Sequence, residues 1–253
     1  MSSAPASHVE QVHRLFDDKA VDWADHYRPD GPLLGRLNQV AATVEQLTSP
    51  GSAVLDLGCA SGELARFLAR SGFRLTGADV SGKMLSRARQ AEAGGSAGWV
   101  QIDPAWQRLP FGPASFSTVV MSSVLEYVES PATVMAECAR ILQPGGTLVC
   151  TVPNLAHPVR WLEWIGRRAA GAAPARALAA TRDRGRDRSR DWGRLGPYLT
   201  YLRISRQRHR RNWWETVAGQ AGLQPVPLAA RAAGRPTLRL LVFRAGPWDG
   251  AER

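Results

Sequence analysis

The stretch Val54–Ala65, VLDLGCASGELA, decides the fold. Its apolar start, Val54–Leu57, predicts a short buried strand that carries Asp56 near its end. A turn of small residues, Gly58–Gly62, follows and opens directly into the helical pattern Glu63–Arg70. A strand, a glycine turn and a helix N-terminus form the nucleotide-binding half of an α/β sheet, which receives ligands at the carboxyl ends of its strands. Glycine has no Cβ, so the backbone of this turn can approach a ligand closely.

Two acidic residues narrow the choice of ligand. Asp56 lies two residues before Gly58, where its carboxylate would repel the pyrophosphate of a dinucleotide resting on the helix N-terminus. A carboxylate at that place suits a cationic amine. The second predicted strand, Phe73–Val80, ends in Asp79, about 20 residues beyond the glycine turn, where an acid holds a ribose diol. Together they predict a nucleoside that carries an amino group and no pyrophosphate, which describes S-adenosylmethionine.

Five segments in a fixed order extend this prediction. They are DLGCASG (Asp56–Gly62), GADVSGKML (Gly77–Leu85), LPF (Leu109–Phe111), SSVLEYV (Ser122–Val128) and LQPGGTL (Leu142–Leu148). With them, the residues from Phe16 to Val152 resemble the class I S-adenosylmethionine-dependent methyltransferases, in particular the small bacterial group of ubiquinone/menaquinone-type enzymes. The resemblance implies a Rossmann-like α/β fold: a seven-stranded sheet, mostly parallel with one antiparallel strand near the edge, helices on both faces, and a helical Arg-rich cap.

The resemblance also implies a set of cofactor-binding residues. The family holds the amino acid end of the cofactor at the glycine turn, the ribose after the second strand and the adenine after the third. Here the adenine acid, Asp103, is followed by Pro104, which has no N–H to offer the ring. Either Ala105 supplies that donor or Trp106 stacks on the ring. The implied residues are Asp56, Gly58, Ala60, Gly62, Asp79, Val80, Met84, Asp103, Pro104, Ser122 and Tyr27.

The chain divides into four predicted regions. Residues 1–50 contain two helical patterns, Val9–Tyr27 and Leu33–Leu47, which the resemblance places over the cofactor as a lid. Trp23 and Tyr27 then either face the methionine end of the cofactor or only pack the lid on the sheet. Residues 51–153 form the cofactor-binding core, residues 154–211 an Arg/Trp-rich cap insert, and residues 212–253 a helix and the last two strands.

The insert is the most unusual part of the sequence. From Arg160 to Arg211 there are fifteen arginines and four acids, and this excess accounts for the formal net charge of +10. Helical spacing separates Trp161 and Trp164 from Glu163. Three interpretations are open: a solvated cap, a clamp for phosphate or carboxylate groups of the acceptor, and an element that rests its tryptophans on anionic lipid. We recognise no RNA-binding module, so nucleic acid is not a favoured partner.

Candidate catalytic residues lie beyond the fourth and fifth strands. Methyl transfer from a sulfonium depends mainly on alignment, which contributes about 7–11 kcal/mol in favourable systems. A general base adds about 10²–10⁴-fold. His157 follows the fifth strand and is suited to base catalysis near neutral pH, or else caps a loop or helix. Glu126 follows the fourth strand and is the second candidate, or else is an acid that favours a helix start.

The sequence therefore predicts a methyltransferase that acts on an oxygen, or less favourably a nitrogen, of a small-molecule acceptor, either anionic or lipid-linked. The alternatives are an RNA methyltransferase and a non-methylating module that binds S-adenosylmethionine and docks on an anionic membrane or a partner.

The three cysteines lack metal-ligand spacing, so we expect reduced thiols and no metal. No apolar run reaches the ~20 residues that span a bilayer, so we expect a cytoplasmic protein. Peripheral contact of the basic cap with the inner membrane face is one of its open interpretations. No oligomeric state is predicted.

Overall fold

One seven-stranded sheet organises the protein, in the order β3-β2-β1-β4-β5-β7-β6. The computed structural model describes residues 7–92, 97–161, 163–164, 201–228 and 236–247. Strands β1 to β5 pair in parallel, whereas β7 runs antiparallel to both β5 and β6. This confirms the predicted mostly parallel, Rossmann-like sheet, whereas most of the predicted helical Arg-rich cap lies outside the described residues. The strands are β1 (Ala53–Leu57), β2 (Arg74–Asp79), β3 (Ala97–Gln101), β4 (Phe116–Met121), β5 (Leu142–Pro153), β6 (Leu223–Pro225) and β7 (Leu238–Ala245).

Helices cover both faces of this sheet. Serine side chains cap several of them, and the Ser81 hydroxyl accepts a hydrogen bond from the Met84 N–H at 3.1 Å, as serine at this position predicts. Residues 159–161, 163–164 and 201–204 are also helical. The longer helices are α1 (His8–Lys19), α2 (Leu34–Leu47), α3 (Glu63–Arg70), α4 (Gly82–Ala91), α5 (Pro131–Ile141) and α6 (Arg211–Gln220).

The single amino-terminal helix predicted over Val9–Tyr27 is wrong. Helix α1 ends at Lys19, and a short 3₁₀ helix, Trp23–Tyr27, follows. In a continuous helix Phe16 and Trp23 would lie about 10.5 Å apart along the axis. The break brings their ring centroids to 5.9 Å in an edge-to-face contact. Apolar spacing shows which residues can share a face, but it does not show where tertiary packing interrupts the helix.

The alternation of side chains along the strands divides the core into two layers. Leu55 and Leu57 of β1 pack in a cluster with Trp214 of α6, whereas Val54 packs on the opposite face with Val44 of α2. All five side chains are fully buried. Because both faces of β1 are covered, its functional groups are left at its carboxyl end. A membrane-spanning helix does not occur in the part of the chain that the structure describes.

Candidate functional site

A cavity of about 350 Å³ opens at the carboxyl ends of the parallel strands. Asp56 lies near the end of β1, Asp79 is the last residue of β2, and Ser122 directly follows β4. All three residues line the cavity. Helix α1 forms another wall through residues such as Phe16. The site therefore lies where parallel α/β sheets receive their ligands.

The glycine turn shapes one wall of this cavity. Gly58 has φ +81°, and a Cβ on it would stand 2.3 Å from Val124 Cγ2. Gly62 has φ +82°, and its Cβ would stand 2.3 Å from the ring of Trp99. Both positions therefore require glycine. Gly58 and Ala60 line the cavity, whereas Gly62 does not; it lets α3 start close to the sheet.

Asp79 ties the first two strand-end turns together. Its carboxylate accepts hydrogen bonds from the Ala60 N–H at 2.9 Å and from the Ser81 N–H at 2.8 Å. Burial raises the pKa of Asp79, and these backbone donors oppose that rise. Its neighbour Val80 also lines the cavity. The predicted ribose acid is thus held by backbone groups at the cavity wall.

Asp56 is a buried carboxylate with an unmet hydrogen-bonding atom. Its side chain is only 2% exposed, and Oδ2 has no hydrogen-bond partner. Burial, followed by repulsion from Asp79, raises the pKa of Asp56 to about 7. A buried acceptor that is both unpaired and close to a second carboxylate favours a cationic donor. The site therefore fits the ammonium group of S-adenosylmethionine.

Arg36 is a cavity residue that the sequence did not reveal. It lies on α2, and its Nη1 donates to the Ser123 hydroxyl at 2.5 Å. Its charge acts on Tyr27, another lining residue, whose pKa burial raises to about 12 against the effect of Arg36. The negative charge of Asp56 helps to raise the pKa of the same Tyr27 hydroxyl. A guanidinium and a carboxylate close to one hydroxyl suit the two charges of an α-amino acid. No motif marks Arg36, because its approach to the cavity depends on how α2 packs.

The predicted adenine contacts are only partly brought together. Asp103 is exposed and does not line the cavity, and its Oδ1 accepts from the Ala105 N–H at 2.7 Å. The donor considered for the adenine ring is therefore already engaged. Pro104 and Trp106 do line the cavity, and Trp106 has a positive φ of 57°. Met84 is fully buried and does not reach the cavity.

Glu126 lies in a different part of the same cavity. It is buried and accepts from the Ser205 hydroxyl at 3.0 Å and the Tyr201 hydroxyl at 3.2 Å. Burial raises the pKa of Glu126, against the Ser205 hydrogen bond and the charges of Arg208 and Arg160. It is therefore a cavity carboxylate that holds a proton more readily than an exposed glutamate does.

His157 is not brought to the cavity. The ring Nδ1 of His157 accepts a hydrogen bond from the Val159 N–H at 3.2 Å. The backbone N–H of His157 donates to the Asn154 carbonyl at 3.0 Å. The structure thus gives this histidine the second of its predicted roles, a cap of the loop that leads into helical residues 159–161. His157 and Glu126 do not form a pair around one site.

The described start of the insert turns its polar side inward. Arg160 and Glu163 are buried, whereas Trp161 and Trp164 are 65% and 53% exposed. Glu163 binds Arg160 and also Arg208 from the returning chain. The two faces predicted from spacing are present, but the charged one packs on the protein. Residues 165–200, which include most of the predicted cap, lie outside the described residues.

Metal-binding geometry and reactive thiols are not features of this site. Within the described ranges, no three His, Cys, Asp or Glu side chains are grouped so that they could hold a metal ion. Cys59, Cys138 and Cys150 are buried free thiols, and burial raises the pKa of each. Thiols of this kind are chemically inert.

The fold and site together define a class. A Rossmann-like sheet brings two buried carboxylates and a glycine turn to one cavity, and a further wall of that cavity is formed around Glu126. These features belong to α/β proteins that bind a nucleotide or nucleoside at the carboxyl ends of their strands.

Comparisons with known proteins define the family. Residues 55–150 match the sequence profile of a methyltransferase domain. The ubiquinone biosynthesis O-methyltransferase of Xanthomonas campestris pv. campestris (strain B100) is 34% identical over 166 residues, which cover 61% of this chain and 67% of that protein. The chain therefore belongs to the class I S-adenosylmethionine-dependent methyltransferases, and it is an enzyme whose methyl donor is S-adenosylmethionine.

Solved structures show the same fold. The magnesium protoporphyrin IX methyltransferase of Synechocystis PCC 6803, crystallised with S-adenosylhomocysteine, aligns with a TM-score of 0.65 at 20% identity and covers 93% of this chain and 98% of its own. Phosphoethanolamine N-methyltransferase 2 of Haemonchus contortus, crystallised with S-adenosylmethionine, aligns with a TM-score of 0.58 at 18% identity, over 88% of this chain and 46% of its own. These likenesses concern architecture alone.

Proposed function

We propose that the protein methylates an oxygen atom of a small, flat acceptor, best a hydroxyl group on an aromatic ring. One observation carries this proposal: a wall of aromatic side chains leads to the buried Glu126 carboxylate in the cavity that also contains Asp56 and Asp79. Oxygen as the methylated atom agrees with the similarity to a ubiquinone biosynthesis O-methyltransferase. Along this wall the ring centroids of Trp23, Phe16, Tyr127 and Tyr201 are successively 5.9, 5.1 and 6.3 Å apart.

The end of the cavity that contains Asp56, Asp79 and Arg36, here called the cofactor end, carries charges that match those of S-adenosylmethionine. Asp56 Oδ2 binds the amino group of S-adenosylmethionine, and Arg36 binds its carboxylate. Asp79 accepts hydrogen bonds from the ribose hydroxyls. Its carboxylate lies at the cavity wall, and the backbone N–H groups of Ala60 and Ser81 hold it in place there. Trp106 packs beside the adenine in place of the donor that Ala105 gives to Asp103. The bound cofactor supplies a methyl group already activated by a sulfonium.

The end of the cavity around Glu126, here called the acceptor end, binds the methyl acceptor and takes up its proton. Glu126 takes the proton of the acceptor hydroxyl, because burial has raised its pKa toward that of a useful base. The hydroxyls of Ser205 and Tyr201 hold the carboxylate in one orientation. The protein contributes mainly alignment of the acceptor and exclusion of water.

The test is turnover with simple aromatic probes. The purified protein is incubated with S-adenosylmethionine and phenol, 3-hydroxybenzoate, 3,4-dihydroxybenzoate or aniline, and products are identified by mass spectrometry together with released S-adenosylhomocysteine. We expect O-methylated product from at least one hydroxyl probe and none in the Glu126→Ala variant. Methylation of aniline alone, or binding of S-adenosylmethionine without turnover of any hydroxyl probe, would contradict the proposal.

A peripheral membrane contact is a second candidate function, favoured by the exposed Trp161 and Trp164 beside the arginines of the insert. Exposed tryptophans next to cations suit the headgroup region of an anionic bilayer. A lipid-linked acceptor would then reach the cavity from the membrane. Sedimentation with phosphatidylglycerol vesicles checks this, with phosphatidylcholine vesicles as the control. Equal binding by wild type and a Trp161→Ala/Trp164→Ala double variant would refute it.

A further inference from the structure

Unmet polar atoms are concentrated in the cavity. Of the buried side-chain atoms without a hydrogen-bond partner in the described part of the chain, three belong to lining residues: Asp56 Oδ2, Trp23 Nε1 and Arg160 Nε. Buried polar atoms are almost always paired in folded proteins. Unpaired atoms that share one cavity therefore mark positions where a ligand supplies the partner. The proposed cofactor contact gives Asp56 Oδ2 a partner. The N–H groups of Trp23 Nε1 and Arg160 Nε are then still without one.

Arg160 is held by both of its terminal nitrogens, whereas its Nε has no hydrogen-bond partner among the described residues. Its Nη1 donates to both carboxylate oxygens of Glu163 at 2.8 Å and to the Tyr201 hydroxyl at 3.4 Å. Its Nη2 donates to the Thr237 carbonyl at 2.8 Å, and the side chain is only 8% exposed. The guanidinium is planar, so these contacts also fix the direction of the Nε–H.

The surroundings of Arg160 favour a hydrogen-bonding role over a purely electrostatic one. Glu163 pairs with both Arg160 and Arg208, and the charges of both arginines also act on Glu126, so two carboxylates balance two guanidiniums without a ligand. The Tyr201 hydroxyl, which accepts from Arg160, donates in turn to Glu126 at 3.2 Å. Arg160 is thus joined through one hydroxyl to the carboxylate that receives the proton of the acceptor.

We infer that Arg160 binds the methyl acceptor by donating its Nε–H to an oxygen atom other than the one that is methylated. This contact orients the reacting hydroxyl toward Glu126 and selects acceptors with a second oxygen substituent. The inference rests on the proposed O-methylation of an aromatic hydroxyl. Arg160 contacts the acceptor and takes no part in the proton transfer itself.

Two matched variants separate this role from a structural one. Arg160→Lys keeps a cation beside Glu163 but removes the Nε–H. Arg140→Lys is the control, because Arg140 also pairs with a glutamate three residues away, Glu137, and donates to backbone carbonyls, yet it does not line the cavity. We expect Arg160→Lys to raise the KM for 3-hydroxybenzoate or 3,4-dihydroxybenzoate by about 10-fold or more. In Arg140→Lys the change should stay below about 3-fold.

Three further readouts decide the outcome. Affinity for S-adenosylmethionine, measured by calorimetry, should be the same in both variants, and thermal unfolding should show both folded. The KM for phenol, which has no second oxygen, should not respond to Arg160→Lys. Equal increases in KM in the two variants, or an equal increase for phenol, would overturn the role of Arg160 and leave the wild-type methylation in place. Loss of wild-type turnover on every hydroxyl probe would instead overturn the proposed function.

Discussion

The two ends of the cavity are built in different ways. The cofactor end takes its two carboxylates and its glycine turn from one short segment, in which Asp56, the turn and Asp79 follow one another and backbone N–H groups hold the Asp79 carboxylate. Arg36 joins this end from α2. The acceptor end joins Glu126 to Tyr201, which is 75 residues away, and to Arg160. Local sequence can therefore encode most of the first end, whereas the second depends on distant segments meeting.

The ends also differ in how they treat buried charge. At the cofactor end, Asp56 and Asp79 repel each other, and the pKa of Asp56 rises to about 7, chiefly through burial. At the acceptor end, burial raises the pKa of Glu126, and the Ser205 hydrogen bond and the charges of Arg208 and Arg160 oppose that rise. Asp56 therefore gains a favourable partner when a cation binds, whereas Glu126 already has such partners within the protein. This contrast can be tested by single substitutions.

The largest effect should come from Asp79→Ala. It removes the carboxylate proposed for the ribose, and two hydrogen bonds to a charged group are worth about 3–6 kcal/mol. Affinity for S-adenosylmethionine in calorimetry should fall by at least about 100-fold. Asp79→Asn should lose less, because its amide oxygen still accepts one hydrogen bond. Unchanged affinity in a folded Asp79→Ala variant would remove Asp79 from the cofactor site.

Glu126→Gln should leave the cofactor end intact and damage the acceptor end. The amide cannot take a proton, so kcat should fall about 100-fold. Affinity for S-adenosylmethionine should stay within about 2-fold of wild type, because Glu126 lies in the acceptor part of the cavity. The pH profile of kcat should also lose its acidic limb, which reflects protonation of Glu126. A variant with wild-type kcat would show that no general base acts at this position.

Asp56→Asn should weaken cofactor binding and stabilise the empty protein. The pKa of Asp56 rises on folding from 3.8 to about 7, so the folded state binds more protons in that interval. The free energy of unfolding therefore decreases as pH rises through it. The variant lacks this decrease and should be more stable than wild type above pH 7 by about 1–4 kcal/mol. Urea unfolding on both sides of the interval measures it, and a variant less stable than wild type above the interval would contradict the unpaired carboxylate.

The smallest effect should come from Trp161→Ala, outside both ends of the cavity. Its side chain is 65% exposed, so the free energy of unfolding should change by less than about 0.5 kcal/mol. Activity on water-soluble probes should also stay unchanged. A loss of stability comparable to that of a core substitution would show that this side chain is covered in solution.

Most of the fold could be predicted because its information is local. The run Val54–Leu57, the turn to Gly62 and the helix Glu63–Arg70 predict a strand, a turn and a helix by hydrophobic pattern and glycine placement alone, and the structure has them there. The amino-terminal helix shows the limit: α1 ends at Lys19, and Trp23 of the following 3₁₀ helix packs edge-to-face on Phe16. The spacing of apolar residues alone does not predict such a break.

By itself, the sequence determined the class of enzyme and the segment that forms the cofactor end, because a glycine turn and two strand-end acids act over short distances along the chain. Only the tertiary structure decided which polar groups share the cavity. It brought Arg36 and Arg160 to the walls, left His157 and Asp103 outside them, and buried Arg160 and Glu163 at the described start of the insert. The physical reason is that an ion pair or hydrogen bond between distant segments depends on how whole helices pack, and no residue pattern along the chain records that arrangement.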